Sequence, residues 1–221
     1  METSKKGVSL GVLKRVIEEV TYSPISIQSF SNNKAVNELG CTVTSIKFSW
    51  TTNKAPKKIL LDSTDIDVTL KSTTISCSLT SNTSFTLKVT DSKNFTVSKS
   101  TSVSFSNGIY YGIGTDQENI TDSFILGLTK SLQNSISKTF TVTAGDGQYV
   151  WFAYPKRYGT PKFNVGGFDG GFSKIADMEF TNASGYTETY TIYRSDNSNL
   201  GTQTIKVSCI EVKKWANIKE V

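Results

Sequence analysis

The chain has 221 residues, a formal net charge of +5, 19% charged and 11% aromatic residues, which is enough length for two compact domains and too apolar a balance for disorder. It contains no histidine, which removes the commonest general base, the usual catalytic triads and most zinc sites. The basic residues are scattered (Lys5 with Lys6, Lys57 with Lys58, Lys156 with Arg157, Lys213 with Lys214) and form no single face of the kind that tracks nucleic acid, so none is expected as a partner.

No apolar run approaches the roughly 18 residues of a membrane helix, and Val8 to Leu13 is cut short by Lys14 and Arg15. Folding in a cytosol without membrane insertion is expected. Cys41, Cys77 and Cys209 lack metal-ligand spacing and read as buried thiols, with a Cys41–Cys77 bridge as the only pairing worth considering.

In chain order, the first element is a helix over Val8 to Val20. Leu10, Leu13, Ile17 and Val20 recur at 3–4–3 spacing beside Val12 and Val16, and Lys14 and Arg15 precede Glu18 and Glu19 by four residues. So short a helix must dock on something. Two destinations stay open: its own sheet, or a partner or second copy reached through Leu10, Leu13, Ile17 and Val20.

From about residue 25 to 106 short alternating segments follow one another. They are Ile25/Ile27, Ile46/Phe48/Trp50, Lys58 to Leu61, Ile66/Val68/Leu70, Ile75/Cys77/Leu79, Phe85/Leu87/Val89, and Phe95/Val97 leading to Val103/Phe105. Val43 is out of phase and hints at a bulge. Seven short strands separated by polar turns predict an antiparallel sandwich. Trp50 and the corner-like Leu79 to Val89 sharpen this to an immunoglobulin- or fibronectin-like fold, with Phe85 where such corners often carry a tyrosine.

Residues 107–208 form the second predicted domain, a β-sandwich-like sheet with one helix. That helix is expected from Asp122 to about Ser137, capped by Thr121, on the spacing of Phe124 or Ile125, Leu128, Leu132 and Ile136. Tyr149 to Tyr154 is apolar on both faces and should be a central strand covered on each side. Residues 1–24 read as an attachment segment and 209–221 as a tail.

Chemical motifs are sparse. Gly112-Ile113-Gly114 lacks the third glycine of a dinucleotide fingerprint, and there is no P-loop. Asp116 with Glu118, or Asp177 with Glu179, could in principle cleave a glycan, but such pairs read as solvated surface. Asp196-Asn197-Ser198-Asn199 lacks the remaining ligands of a calcium loop. No catalytic residue, metal or cofactor is expected.

Val165-Gly166-Gly167-Phe168-Asp169-Gly170-Gly171-Phe172 calls for positive φ or close backbone approach. Either Phe168 and Phe172 tuck inward at a tight connection, or Phe168 is exposed on an interface or glycan platform with Trp151, Tyr154 or Tyr158.

The ordered strings Ser106 to Gly112, Gly147 to Pro155, Val165 to Phe172 and Asn182 to Arg194 (with Gly185-Tyr186-Thr187-Glu188-Thr189-Tyr190) resemble the C-terminal module of tailed-bacteriophage virion structural proteins. In that family the module commonly follows an immunoglobulin-like domain. The resemblance spans about Ile25 to Val207. It implies a tail, baseplate, fibre or head-surface decoration protein without catalytic residues, located in the virion and assembled in the host cytoplasm. Its partners would be other virion proteins and further copies of itself. A host-surface adhesin binding envelope glycans is the alternative, and a glycan-cleaving enzyme a weaker one.

Overall fold

A computed structural model describes residues 9–210, without the side chains of Glu18 and Val20. The tail expected from 209 onward thus lies outside the described residues after Ile210. One helix, α1 (Leu10–Val20), precedes eight strands: β1 (Ile27–Asn32), β2 (Val36–Glu38), β3 (Val43–Thr52), β4 (Lys58–Leu61), β5 (Thr64–Ile66), β6 (Ser72–Leu79), β7 (Thr83–Thr90) and β8 (Thr96–Ser106). The chain divides into two compact units, and the division is not at one chain position. The first comprises 9–35, Ser45–Ser76 and Thr83–Ser102; the second comprises Val36–Thr44, Cys77–Asn82 and 103–210.

The first unit is a sandwich. One sheet has the order β1-β3-β6, and the other runs β8-β7-β4-β5. Alternation decides which residues enter the core: Ile46, Phe48 and Trp50 of β3 are buried while Lys47 is exposed, and Phe85, Leu87 and Val89 of β7 repeat the pattern. Phe48 meets Phe30 of its own sheet (5.8 Å between ring centroids) and Phe85 of the other (4.9 Å), the second contact tying the sheets face to face. Val43 is buried out of phase, with both Thr44 and Ser45 exposed before Ile46. A pairing irregularity in β1 lies opposite the other end of β3, where Gln28 is skipped between Ile27 and Ser29.

The strand expected through Val68 and Leu70 stops at Ile66. Asp67 Oδ1 accepts hydrogen bonds from both the amide and the hydroxyl of Thr69, forming a turn that leaves Val68 and Leu70 exposed.

In the second unit β2 runs parallel to the end of β8, pairing Val36 with Ser104 and Glu38 with Ser106. The following elements are β9 (Gly108–Thr115), α2 (Asp122–Leu126), β10 (Thr129–Leu132), β11 (Lys138–Ala144), β12 (Gln148–Pro155), a 3-10 turn (Lys156–Tyr158), β13 (Pro161–Val165), β14 (Phe168–Asp169), β15 (Phe172–Thr181), β16 (Thr187–Ser195) and β17 (Gly201–Cys209). They make a five-stranded sheet, β10-β9-β12-β16-β15, and a four-stranded one, β11-β17-β13-β14.

As its sequence predicts, β12 is central and buried on both faces. Val150, Phe152 and Tyr154 join Phe140, Phe163, Ile205 and Val207 in a core between the two sheets. Trp151 and Ala153 point the other way, into a second core with Tyr110, Phe180, Tyr190 and Ile192, roofed by Ile125 of α2 and by Phe124 and Leu128.

The helix expected over 122–137 is corrected. Thr121 does cap it, accepting from the Phe124 amide (3.3 Å), but it ends at Leu126, and Thr129–Leu132 pairs with β9 as a strand. Leu128, Leu132 and Ile136 lie four apart, a spacing that suits period two as well as 3.6, and Gly127 with β-preferring Thr129 breaks the helix.

Candidate functional site

Among the described residues, α1 carries a run of exposed apolar side chains. Ser9 caps it, its hydroxyl accepting from the Val12 amide (3.3 Å), and Thr21 closes it with amide and hydroxyl both donating to the Ile17 carbonyl. Along it, Leu10 is 85% exposed, Leu13 50% and Ile17 54%, with Val12 and Val16 exposed beside them. The Val20 side chain lies outside the described residues. The stripe therefore faces solvent rather than the chain's own sheet. Isolated apolar side chains on a surface are ordinary, but five together on an 11-residue helix are a patch that invites a partner.

Its base is firmly held within the first unit. The Tyr22 hydroxyl donates to Asp91 Oδ2 (2.5 Å), which also takes the Lys54 ammonium (3.0 Å) and the Ile25 amide (3.3 Å). Asp91 Oδ1 accepts the amides of Lys93 (2.9 Å) and Phe95 (3.0 Å). Lys54 reaches the Ser23 carbonyl as well (2.6 Å), and Lys54 and Lys93 sit 4.5 and 4.6 Å from the centroid of the Tyr22 ring.

Burial by itself would raise the Asp91 carboxyl. The hydrogen bonds from Tyr22 and Lys54 and from the Phe95 and Lys93 amides outweigh it and hold the group well below the usual carboxylate range. The Tyr22 phenol is pushed up to about 12, first by its hydrogen bond to Asp91, then by desolvation and the negative charge. Sequence reasoning missed this hub. Its local half, an Asp opening a turn, was readable, whereas Tyr22 and Lys54 are brought to it only by the fold.

The aromatic platform considered from sequence does not assemble. Trp151 and Tyr154 are buried, because β12 is covered on both faces. Trp151 stacks edge-on against Phe124 (4.9 Å), and the Tyr154 hydroxyl donates to the Gly159 carbonyl (3.0 Å). Tyr158 is half-buried, donating to the Gln133 carbonyl (2.8 Å).

Phe168 is 81% exposed. It follows a two-residue hairpin turn in which Gly166 and Gly167 take φ of +57° and +98°, pairing Phe168 with Val165. Gly170 and Gly171 also have positive φ, and Phe172 turns back to stack on Phe163 (4.2 Å). One phenylalanine thus points out and the other in.

Asp177, of the second acid pair, does not resemble a general acid. Asp177 bonds Lys174 (2.8 Å), Lys156 (2.9 Å) and the Thr191 hydroxyl (2.7 Å), which hold it well below the usual range and therefore ionised. Asp116 pairs with Arg194, and Glu179 accepts from Thr189 (2.5 Å). In place of Asp177, a general acid would need the opposite, a raised carboxyl. All three cysteines are free, and the expectation of buried thiols is corrected: Cys41 and Cys77 are half-buried and Cys209 is exposed, with Cys77 donating weakly to the Val43 carbonyl.

No protein-family model, characterised protein or solved structure matches the chain.

Proposed function

We propose that the protein is a non-enzymatic structural component of a bacteriophage virion, acting through protein–protein contacts made by α1. The observation that carries this is the exposed stripe of Leu10, Leu13 and Ile17 on a helix whose base is clamped by Tyr22 and Asp91. A clamped, apolar, solvent-facing helix is suited to seating in a groove of a neighbouring protein or against a like helix. The phage assignment rests on the motifs that resemble virion modules. A host-glycan adhesin is the second reading; Phe168 favours it as an exposed aromatic, but Trp151 and Tyr154, which would have joined it in a stacking platform, lie in the core.

The test is to quantify peptides of this chain in density-banded particles from the host that produces it. A fixed stoichiometry with other particle proteins is expected. Recovery only in the particle-free lysate would contradict the proposal.

A further inference from the structure

We propose that the outer face of the four-stranded sheet binds a sugar acid, with its carboxylate on Lys206 and its hydroxyls on Ser208, Asn164 and Asp169. This goes beyond the assembly reading, does not depend on it, and lies apart from the aromatics weighed above.

The site is a shallow cavity of about 270 Å³, lined among the described residues by Lys162, Asn164, Gly167, Asp169, Lys206 and Ser208. Strand register builds it. Lys162 stands opposite Ser208 and Asn164 opposite Lys206 across β13 and β17, while Asn164 also stands opposite Asp169 on β14. Alternation sends these side chains outward, as Phe163, Ile205 and Val207 between them enter the core. Phe168 alternates with Asp169 along β14 and does not line the cavity.

Part of the floor is fixed in advance. Asp169 takes the Lys162 ammonium (2.7 Å) on one oxygen and the Asn164 amide (2.9 Å) on the other, and the Asn164 side-chain oxygen accepts from the Gly167 N–H (3.1 Å). The hydrogen bonds from Asn164 and Lys162 hold Asp169 below its usual range, so it is ionised and only accepts. Lys206 makes no ion pair among the described residues. Two lysines against one aspartate therefore leave the cavity with one unmatched positive charge.

This composition selects the ligand. Walls that are polar throughout offer little to an apolar molecule. One unmatched ammonium suits one anionic group, and ionised Asp169 nearby repels the second charge of a phosphate. The same carboxylate suits a hydroxyl, which donates to Asp169 while it accepts from Asn164 or Lys162. A monocarboxylate carrying several hydroxyls, such as a hexuronic acid, meets all three conditions. Further hydroxyls extend the face for adjoining sugars of a chain: Thr141 meets Thr204 and Thr143 meets Thr202 across β11 and β17, each pair at 3.0 Å.

The test is an amide NMR titration of the full chain with sodium glucuronate and sodium galacturonate. Glucose, acetate and inorganic phosphate are compared at equal ionic strength. At least one uronate should saturate with a Kd on the order of 1 mM, shifting the resonances of residues 162–169 and 206–208. Glucose, acetate and phosphate should each bind about tenfold or more weakly. Lys206→Gln should weaken the uronate about tenfold and Lys206→Arg should keep it. Lys206 is exposed, so both variants should melt like wild type. Phosphate or acetate binding as tightly as the uronates would reduce the site to a contact for any anion and overturn the sugar acid. So would glucose binding equally well, an indifferent Lys206→Gln variant, shifts confined to other residues, or no saturable shift with either uronate. None of these results touches the assembly reading, which is tested through α1.

Discussion

Replacing Phe152 with Ala should be among the most damaging single changes in the second unit, while the same change at Phe168 should be nearly silent. Phe152 is fully buried and ringed by Phe140 (6.1 Å), Tyr154 (5.7 Å) and Phe163 (5.7 Å). Burial of such a side chain contributes roughly 2–3 kcal/mol, and the cavity and lost ring contacts bring the expected cost to about 3–5 kcal/mol. Phe168 points into solvent, so its removal should change stability by no more than about 0.5 kcal/mol. Urea denaturation of the full chain, followed by near-ultraviolet circular dichroism, measures both, with Phe152→Leu expected to fall between them. A loss below about 1 kcal/mol for Phe152→Ala, or equal losses at the two positions, would refute the two-faced burial of β12 and the outward turn of Phe168.

Two further outcomes follow from local geometry. Asp91→Asn should lower the melting temperature at neutral pH, and its deficit should shrink in acid. The folded carboxyl lies below its ordinary value of 3.8, so its contribution is present above that value and lost as pH falls toward the depressed folded one; melting curves with a constant deficit down to the most acid pH would contradict the Tyr22–Lys54–Asp91 hub. Gly40→Ala should destabilise more than Gly147→Ala: both have positive φ, at a strain of order 1–3 kcal/mol, but a Cβ on Gly40 would fall 2.8 Å from Tyr186 Cβ and 2.9 Å from the Ser184 carbonyl, whereas one on Gly147 meets nothing within 4 Å. Equal denaturation midpoints for the two variants would show that the Gly40 approach is looser than described.

What the sequence made legible were features governed by local periodicity. The α1 stripe, the alternation of β3 and β7, the central place of β12 and the positive φ of the 166–171 glycines all follow from neighbours a few residues apart. Reading stopped where two periods coincide or where the decision is long-range. Leu128, Leu132 and Ile136 satisfy helix and strand alike, and pairing with β9 decided for the strand. The two-faced apolar run of β12 already spoke against Trp151 and Tyr154 as surface aromatics, but what covers them, α2 on one face and the β11–β17–β13 sheet on the other, is decided by the fold. The Asp91 hub joins residues 37 and 69 positions away, beyond any spacing rule.

The most direct test of α1 as the assembly face is the incorporation of Leu13→Ser/Ile17→Ser protein into particles, in competition with tagged wild type. Both residues are half-exposed, so the variant should fold and melt like wild type. Burial of each against a partner is worth roughly 2 kcal/mol, so its share of incorporated chains should drop at least about tenfold. An equal share for variant and wild type would contradict assembly through α1.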